Sequence, residues 1–167
     1  MAISHIIRGA TTADFPAILA LNEEFVEYLS PLNTERLEML VHMSAYLRVI
    51  VSGGCVKGFL LAFAGGAAYD STNYQWFNDR YDSFLYIDRI VIAADCQGKQ
   101  FGRLLYDDLS LFGQAVNVKL LTCEYNVQPL NEGSAKFHAS YGFKEVGTKL
   151  SGGGRTVVSL QTCPIAV

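Results

Sequence analysis

The chain has 167 residues, half of them hydrophobic and 17% charged, with a formal charge of -3. That is the length of one ordinary domain with a substantial core, and it excludes an intrinsically disordered chain. An acidic balance without a long basic run excludes a general nucleic-acid backbone binder, but not a binder of one small phosphorylated ligand, which needs only local charge and backbone amides.

Four widely spaced cysteines (Cys55, Cys96, Cys123, Cys163) contain no CxxC pair, so reduced thiols are expected and a zinc site is not. The stretch MAISHIIRGATTADF lacks the basic and apolar regions of a signal peptide, and no apolar run is long enough to cross a bilayer. The expectation is a cytoplasmic protein without a membrane partner.

Residues 4–9, SHIIRG, are the first expected strand. TTADFPAILALNEEFVEYL puts Phe15, Ile18, Leu19, Leu21 and Phe25 near the helical period, with Thr12 as N-cap and Pro31 as the stop. NTERLEMLVHMSA is a second helix, capped by Asn33 or Thr34, with Leu37, Leu40 and Val41 on one face. YLRVIVS, then Gly53 and Gly54, then CVKGFLLAFA make a hairpin.

Residues 65–82 have no clean period and carry Tyr69, Tyr74, Trp76, Phe77 and Tyr81. They are either an apolar cover over a sheet edge or a loop shaping a pocket, since long ordered loops are often functional. SFLYIDRIVIA is the fourth strand, FGRLLYDDLSLFGQAV a helix with Leu104, Leu105, Leu109 and Phe112 on its apolar face, and VKLLTCEYN a central strand. NEGSAKFHASYG is a short helix ended by Gly142, and FKEVGTKL and TVVSLQT close the chain around SGGG. Helices between strands mark right-handed crossovers to parallel neighbours, while hairpin-joined strands pair antiparallel, so the sheet is mixed.

The turn ADCQGKQFGRLL, residues 94–105, joins the fourth strand to its helix. A strand entering a glycine-bearing turn and a helix N-terminus is an anion site, because the first helical amides have no intrachain partner and the helix dipole favours negative charge. Lys99 and Arg103 add charge. A plain connector explains either Gly98 or Gly102 equally well.

A second stretch, residues 131–143, NEGSAKFHASYGF, follows the strand KLLTCEYN. Together the two resemble the GNAT superfamily of acyl-CoA-dependent N-acetyltransferases. The family's phosphate loop, Gln/Arg-x-x-Gly-x-Gly/Ala, corresponds to Gln97, Gly98, Lys99, Gln100, Phe101 and Gly102; its later helix corresponds to Asn131, Ser134, Phe137, His138, Gly142 and Phe143. The resemblance covers nearly the whole chain and implies one N-acetyltransferase domain over residues 1–167. The implied fold is α/β (α+β): a mixed, mostly antiparallel sheet of about seven strands, splayed between the fourth and fifth and flanked by about four helices. Two departures stand out. Gln100 replaces a loop glycine, which has a cost if the position needs a positive φ. His138 stands where a tyrosine often protonates the departing thiolate.

The resemblance implies acetyl-CoA as cosubstrate, without a metal. Its pyrophosphate would lie on the loop from Gln97 to Arg103, and its pantetheine arm would pair with the backbone of Ile90, Val91 and Ile92 and meet Asn131 and Ser134. Asn131 reads equally as a helix N-cap. Asp88 is a carboxylate inside an apolar strand, where one is rarely placed without a partner. Strand alternation turns Arg89 to the other face and makes it a poor partner, while Tyr86 shares the Asp88 face. In the family these two positions take the acceptor's proton, and His138 is the matching acid. His5 and His42 are structural or surface residues.

The leading expectation is acetyl transfer to a primary amine of a small molecule or peptide by direct attack in a ternary complex, with a homodimer as the default assembly. The alternative is a GNAT-fold protein that binds acyl-CoA without turnover. A doubly wound nucleotide-binding domain is disfavoured, because no GxGxxG follows the first strand.

Overall fold

Apolar runs rich in β-branched and aromatic residues build the strands, and amphipathic segments between them form the helices that cover the sheet. The strands are β1 (His5–Gly9), β2 (Tyr46–Ser52), β3 (Cys55–Ala64), β4 (Leu85–Ile92), β5 (Leu120–Gln128), β6 (Lys144–Ser151) and β7 (Thr156–Pro164). The helices are α1 (Phe15–Glu24), α2 (Thr34–Met43), α3 (Thr72–Asn78), α4 (Phe101–Ala115) and α5 (Glu132–Tyr141). This computed structural model describes residues 4–166; residues 1–3, at the head of the N-terminal stretch read above, and residue 167 lie outside the described residues. One seven-stranded sheet runs β1-β2-β3-β4-β5-β7-β6, antiparallel throughout except for the parallel β4–β5 pair.

Both faces are covered. Leu105, Tyr106 and Leu109 of α4 and Phe143 at the exit of α5 pack on Leu60, Ile87 and Leu121. On the other face Ile18 and Leu37 of α1 and α2 meet Val49, Phe59 and Val91, and Tyr74 and Phe77 of α3 meet Phe63 and Tyr86.

Three local expectations are corrected. The fifth helix, α3, occupies part of the aromatic segment expected to lack regular structure. Ser71 caps it through Oγ, which accepts from the Tyr74 amide at 3.2 Å. Thr11, rather than Thr12, caps the opening turn, in a capping box with Asp14. α1 ends at Glu24 instead of continuing toward Pro31, because the buried Asn22 side chain donates to Ser30 O (3.1 Å) and draws the chain back across the helix end. Asn33 caps α2, its Oδ1 accepting from the Arg36 amide at 2.8 Å.

The fourth correction concerns Arg89. The β3–β4 register jumps from Leu61↔Arg89 to Ala62↔Ile87, leaving Asp88 as one extra residue in β4. Such a bulge re-aims side chains. Tyr86 packs on the α3 side, Ile87 and Ile90 on the α4 side, and Val91 on the α1–α2 side. Asp88 and Arg89 therefore share a face, and Arg89 Nε donates to Asp88 Oδ2 at 3.3 Å.

Candidate active site

β4 and β5 pair at Leu85↔Leu121 and Tyr86↔Thr122 and then diverge. The expected splay is present, and it leaves the β5-facing backbone edge of β4 without a strand partner beyond Tyr86, where Gln97 Nε2 donates to Ile92 O at 3.5 Å. A groove of about 1100 Å³ follows the gap, walled by Ile90, Val91 and Ile92 on one side and by Glu124, Tyr125 and Asn126 on the other.

At one end of the groove lies the turn into α4. Gly98 has φ 76°, and Gln100, the N-cap residue of α4, has φ 66° in the left-handed region, with no side chain capping the helix. The first amides of α4 thus face outward without a capping acceptor, where an anion is favoured. Gln97, Gly98, Gln100, Phe101, Gly102 and Arg103 line the groove, while Lys99 is exposed beside it. A Cβ on Gly102 would lie 3.6 Å from the Phe137 ring and 3.9 Å from Ile92, so this glycine brings α4, α5 and β4 close together. An exposed Lys57–Asp95 ion pair (2.7 Å) ties the turn to β3.

On the α1–α3 face, Tyr86, Asp88 and Glu124 converge. Asp88 Oδ1 accepts from Tyr69 Oη at 2.6 Å and Oδ2 from Arg89, whose guanidinium also donates to Asn22 Oδ1 (2.9 Å) and Ser30 O (2.6 Å). Burial raises the Asp88 carboxyl, and the Arg89 charge pulls it back. Glu124 Oε1 accepts from Tyr86 Oη (2.8 Å) and Asn73 Nδ2 (3.2 Å), whereas its buried Oε2 has no hydrogen-bond partner among the described residues. Burial, helped by the neighbouring Asp88 charge and opposed by the Tyr86 hydrogen bond, pushes Glu124 up to about 7. Burial likewise holds Tyr86 protonated.

His138 lies on the opposite face. Its Nδ1 is 2.7 Å from Ser134 O, and since a carbonyl only accepts, Nδ1–H is the donor. Nε2 then accepts from Tyr106 Oη at 2.8 Å, which links α4 to α5. Burial lowers the His138 pKa, against the opposing carbonyl of Ser134. Asn131 caps α5, its Oδ1 accepting from the Ser134 amide at 3.2 Å, and both residues line the groove.

The structure thus brings the expected Tyr86 and Asp88 together and sets His138 across the gap from them. Glu124, absent from the expected set, carries the same signal as Asp88: a carboxylate in an apolar run, here LLTCEYN. A smaller well of about 340 Å³ opens on the α1–α3 face, and Asp88, Glu124, Asn73 and Ser151 line both it and the groove. The two openings meet at the carboxylates and also share a wall of Tyr28, Leu29 and Ser30. Among the described residues no His, Cys, Asp or Glu cluster suits a metal ion, and no helix is long and apolar enough to cross a membrane.

A splayed parallel pair with an uncapped helix at its head and a buried carboxylate at its waist is the frame of an acyltransferase. The chain belongs to the acetyltransferase (GNAT) family, whose model matches residues 17–143, and whose members take the acetyl group from acetyl-CoA. No curated protein sequence matches it. Among solved structures it is similar to Ard1 from Thermoplasma volcanium (12% identity, TM-score 0.80, covering 99% of this chain and 100% of that one). It is also similar to the ribosomal-protein-S18-alanine N-acetyltransferase of Escherichia coli (16%, 0.73, 98% and 96%). A third is yncA of Salmonella typhimurium, a putative acetyltransferase solved with acetyl-CoA (18%, 0.71, 97% and 94%). At these identities the likeness shows the fold.

Proposed function

We propose that the protein moves an acetyl group from acetyl-CoA to a primary amine of a small molecule or peptide within a ternary complex, with Glu124 as the base. The observation that carries this reading is the unpartnered, buried Glu124 Oε2 at the point where groove and well meet. A carboxyl held near neutral pH, beside a space large enough for a second substrate, favours turnover over binding alone.

The residues present fit the cosubstrate. The uncapped α4 N-terminus, with Gln97, Gly98, Gln100, Phe101, Gly102, Lys99 and Arg103, offers amides and charge to a pyrophosphate. The edge of β4 turned away from β3 offers the main-chain groups of Ile90 and Ile92 to an extended amide-bearing arm, as an added strand would, while the backbone of Val91 between them faces Phe59. Asn131 and Ser134 stand at the same wall. When bound, acetyl-CoA supplies a thioester carbonyl that an amine lone pair attacks, the C–N bond forming as the C–S bond breaks and the sulfur leaves with its electron pair.

An amine arrives mostly as an ammonium ion, so a proton must be removed first. Glu124 receives it at Oε2, while Tyr86 and Asn73 fix Oε1. Asp88 ranks second as base because both of its oxygens are occupied by Tyr69 and Arg89. Its charge supports the raised Glu124 pKa and favours a cation in the well. The amide of Ile92, on the edge of β4 turned away from β3, would receive charge developing on the carbonyl oxygen. The nitrogen sheds its second proton as the amide forms, and that proton returns to the departing sulfur by way of the His138–Tyr106 pair across the gap.

The test follows thiol release from acetyl-CoA over a panel of primary amines. Release should depend on amine and fall by about 10²-fold or more in Glu124→Gln, the usual scale for losing a general base. A protein that binds CoA but acetylates no amine would be the non-catalytic binder instead.

A further inference from the structure

The well joining the groove at Glu124 is walled almost entirely by polar side chains: Arg36, Tyr69, Asp70, Ser71 and Thr72, besides the two carboxylates. Few apolar groups are available there to hold an aliphatic or aromatic acceptor. At about 340 Å³ the well is at the small end of ligand sites. It suits a compact, polar molecule.

Two positions in the well mark opposite charges. The inner one is Glu124 Oε2, buried and unpartnered, with Asp88 beside it. The outer one is the Arg36 guanidinium, which lies 5.9 Å from the centre of the Tyr69 ring, while the Tyr69 hydroxyl donates to Asp88. One tyrosine ring and its contacts therefore span the distance from the Arg36 cation to Asp88, and Glu124 lines the same well as both. Arg36 is 31% exposed, and its anion is Asp70, which is 70% exposed and bound at 2.6 Å. Exposed ion pairs of this kind contribute little and exchange readily. Asp70 occupies the place an incoming carboxylate would take, and a guanidinium binds such a group with two parallel hydrogen bonds.

Resting on the amine-acetylation reading above, we propose that the acceptor is a free amino acid, its amine nitrogen at Glu124 and its carboxylate at Arg36 in place of Asp70. The ammonium proton passes to Glu124, the nitrogen lone pair forms the C–N bond, the sulfur departs with the C–S electron pair, and the second proton that the nitrogen sheds on becoming an amide ends on the sulfur. The carboxylate stays ionised throughout and serves to orient the molecule.

The experiment measures thiol release at saturating acetyl-CoA for matched sets: free amino acids, their primary carboxamides, the amines lacking the carboxyl group, and a pentapeptide with a free N-terminus. The amino acids should lead by tenfold or more in kcat/KM, mainly through KM. Arg36→Gln should bring the acid-to-amide ratio toward one, with Arg36→Lys intermediate. Asp70→Asn, which removes the competing anion, should lower KM for amino acids. Equal or better turnover of carboxamides, simple amines or the peptide overturns the inference and leaves amine acetylation standing. An unchanged acid-to-amide ratio in a folded Arg36→Gln, judged by its melting curve, also overturns it. No turnover of any set overturns both readings.

Discussion

Replacing Glu124 by glutamine should stabilise the protein in a pH-dependent way while disabling it. The folded chain holds this carboxyl at about 7 against an ordinary 4.5, a difference worth about 3 kcal/mol at roughly 1.4 kcal/mol per pH unit. The sign is set by which state keeps the proton. Between 4.5 and 7 the unfolded chain has released it and the folded chain has not, so stability falls as pH rises through that window. Below 4.5 Glu124 has no such cost, and above 7 the cost is complete. Glutamine removes the titration. Its amide nitrogen would sit where Oε2 lacks a partner, a penalty that is the same at every pH, so the diagnostic quantity is the change in the mutant-minus-wild-type difference. For a domain of this size, about 3 kcal/mol corresponds to a gain of roughly 6–12 °C in relative Tm between pH 4.5 and pH 8. Melting curves of both proteins across that range, alongside amine-dependent thiol release, are the assay. A Tm difference that stays flat with pH would show that Glu124 titrates as an ordinary carboxyl, and the reasoning that makes it a poised base would fail.

Asp88→Asn removes a charge that raises Glu124 and leaves Arg89 as an uncompensated cation nearby, so the rising limb of kcat/KM should move to lower pH; a limb that stays in place or moves alkaline contradicts the coupling. Arg89→Met leaves the Asp88 carboxylate buried with one partner fewer and frees Ser30, and should cost about 3–5 kcal/mol in urea unfolding at neutral pH. Gln100→Gly relieves a left-handed non-glycine residue and should keep or modestly improve CoA affinity by calorimetric titration. Gly102→Ala should bind nearly as the parent does, because its Cβ meets only ordinary contacts, whereas the extra methyl groups of Gly102→Val must displace Phe137 or enter the groove and should weaken CoA binding by tenfold or more.

Most of the fold is legible in the sequence because its elements obey simple periods. The β2–β3 hairpin lies where YLRVIVS, two glycines and CVKGFLLAFA place it, and Gly142 ends α5 as expected. Less legible is what tertiary packing imposes. α3 escapes a periodicity reading because Tyr74 and Phe77 face the core while Trp76 also finds a partner, lying 3.1 Å from where a Gly147 Cβ would be; a helix apolar on several sides has no clear stripe. The bulge at Asp88 leaves no compositional mark, yet it decides that Arg89 turns to the same face. Glu124 was visible as a carboxylate among apolar neighbours. What the sequence withholds is that β5 comes close enough to β4 for Tyr86 to reach it, and that among the described residues no donor reaches its second oxygen.

The groove and the well share Asn73, Asp88, Glu124 and Ser151 at their inner ends and Tyr28, Leu29 and Ser30 along one wall, yet the turn into α4 lines the groove alone and Arg36 lines the well alone. On the proposed reading the cosubstrate would enter from the turn into α4, and the acceptor would exchange past Arg36 and Asp70. Such an architecture imposes no obligatory sequence of arrival. Initial-rate plots should therefore intersect, and a dead-end analogue of either substrate should compete with its own substrate and act as a mixed inhibitor toward the other. Each reactant would then have an approach of its own, with Tyr28, Leu29 and Ser30 forming the wall between them.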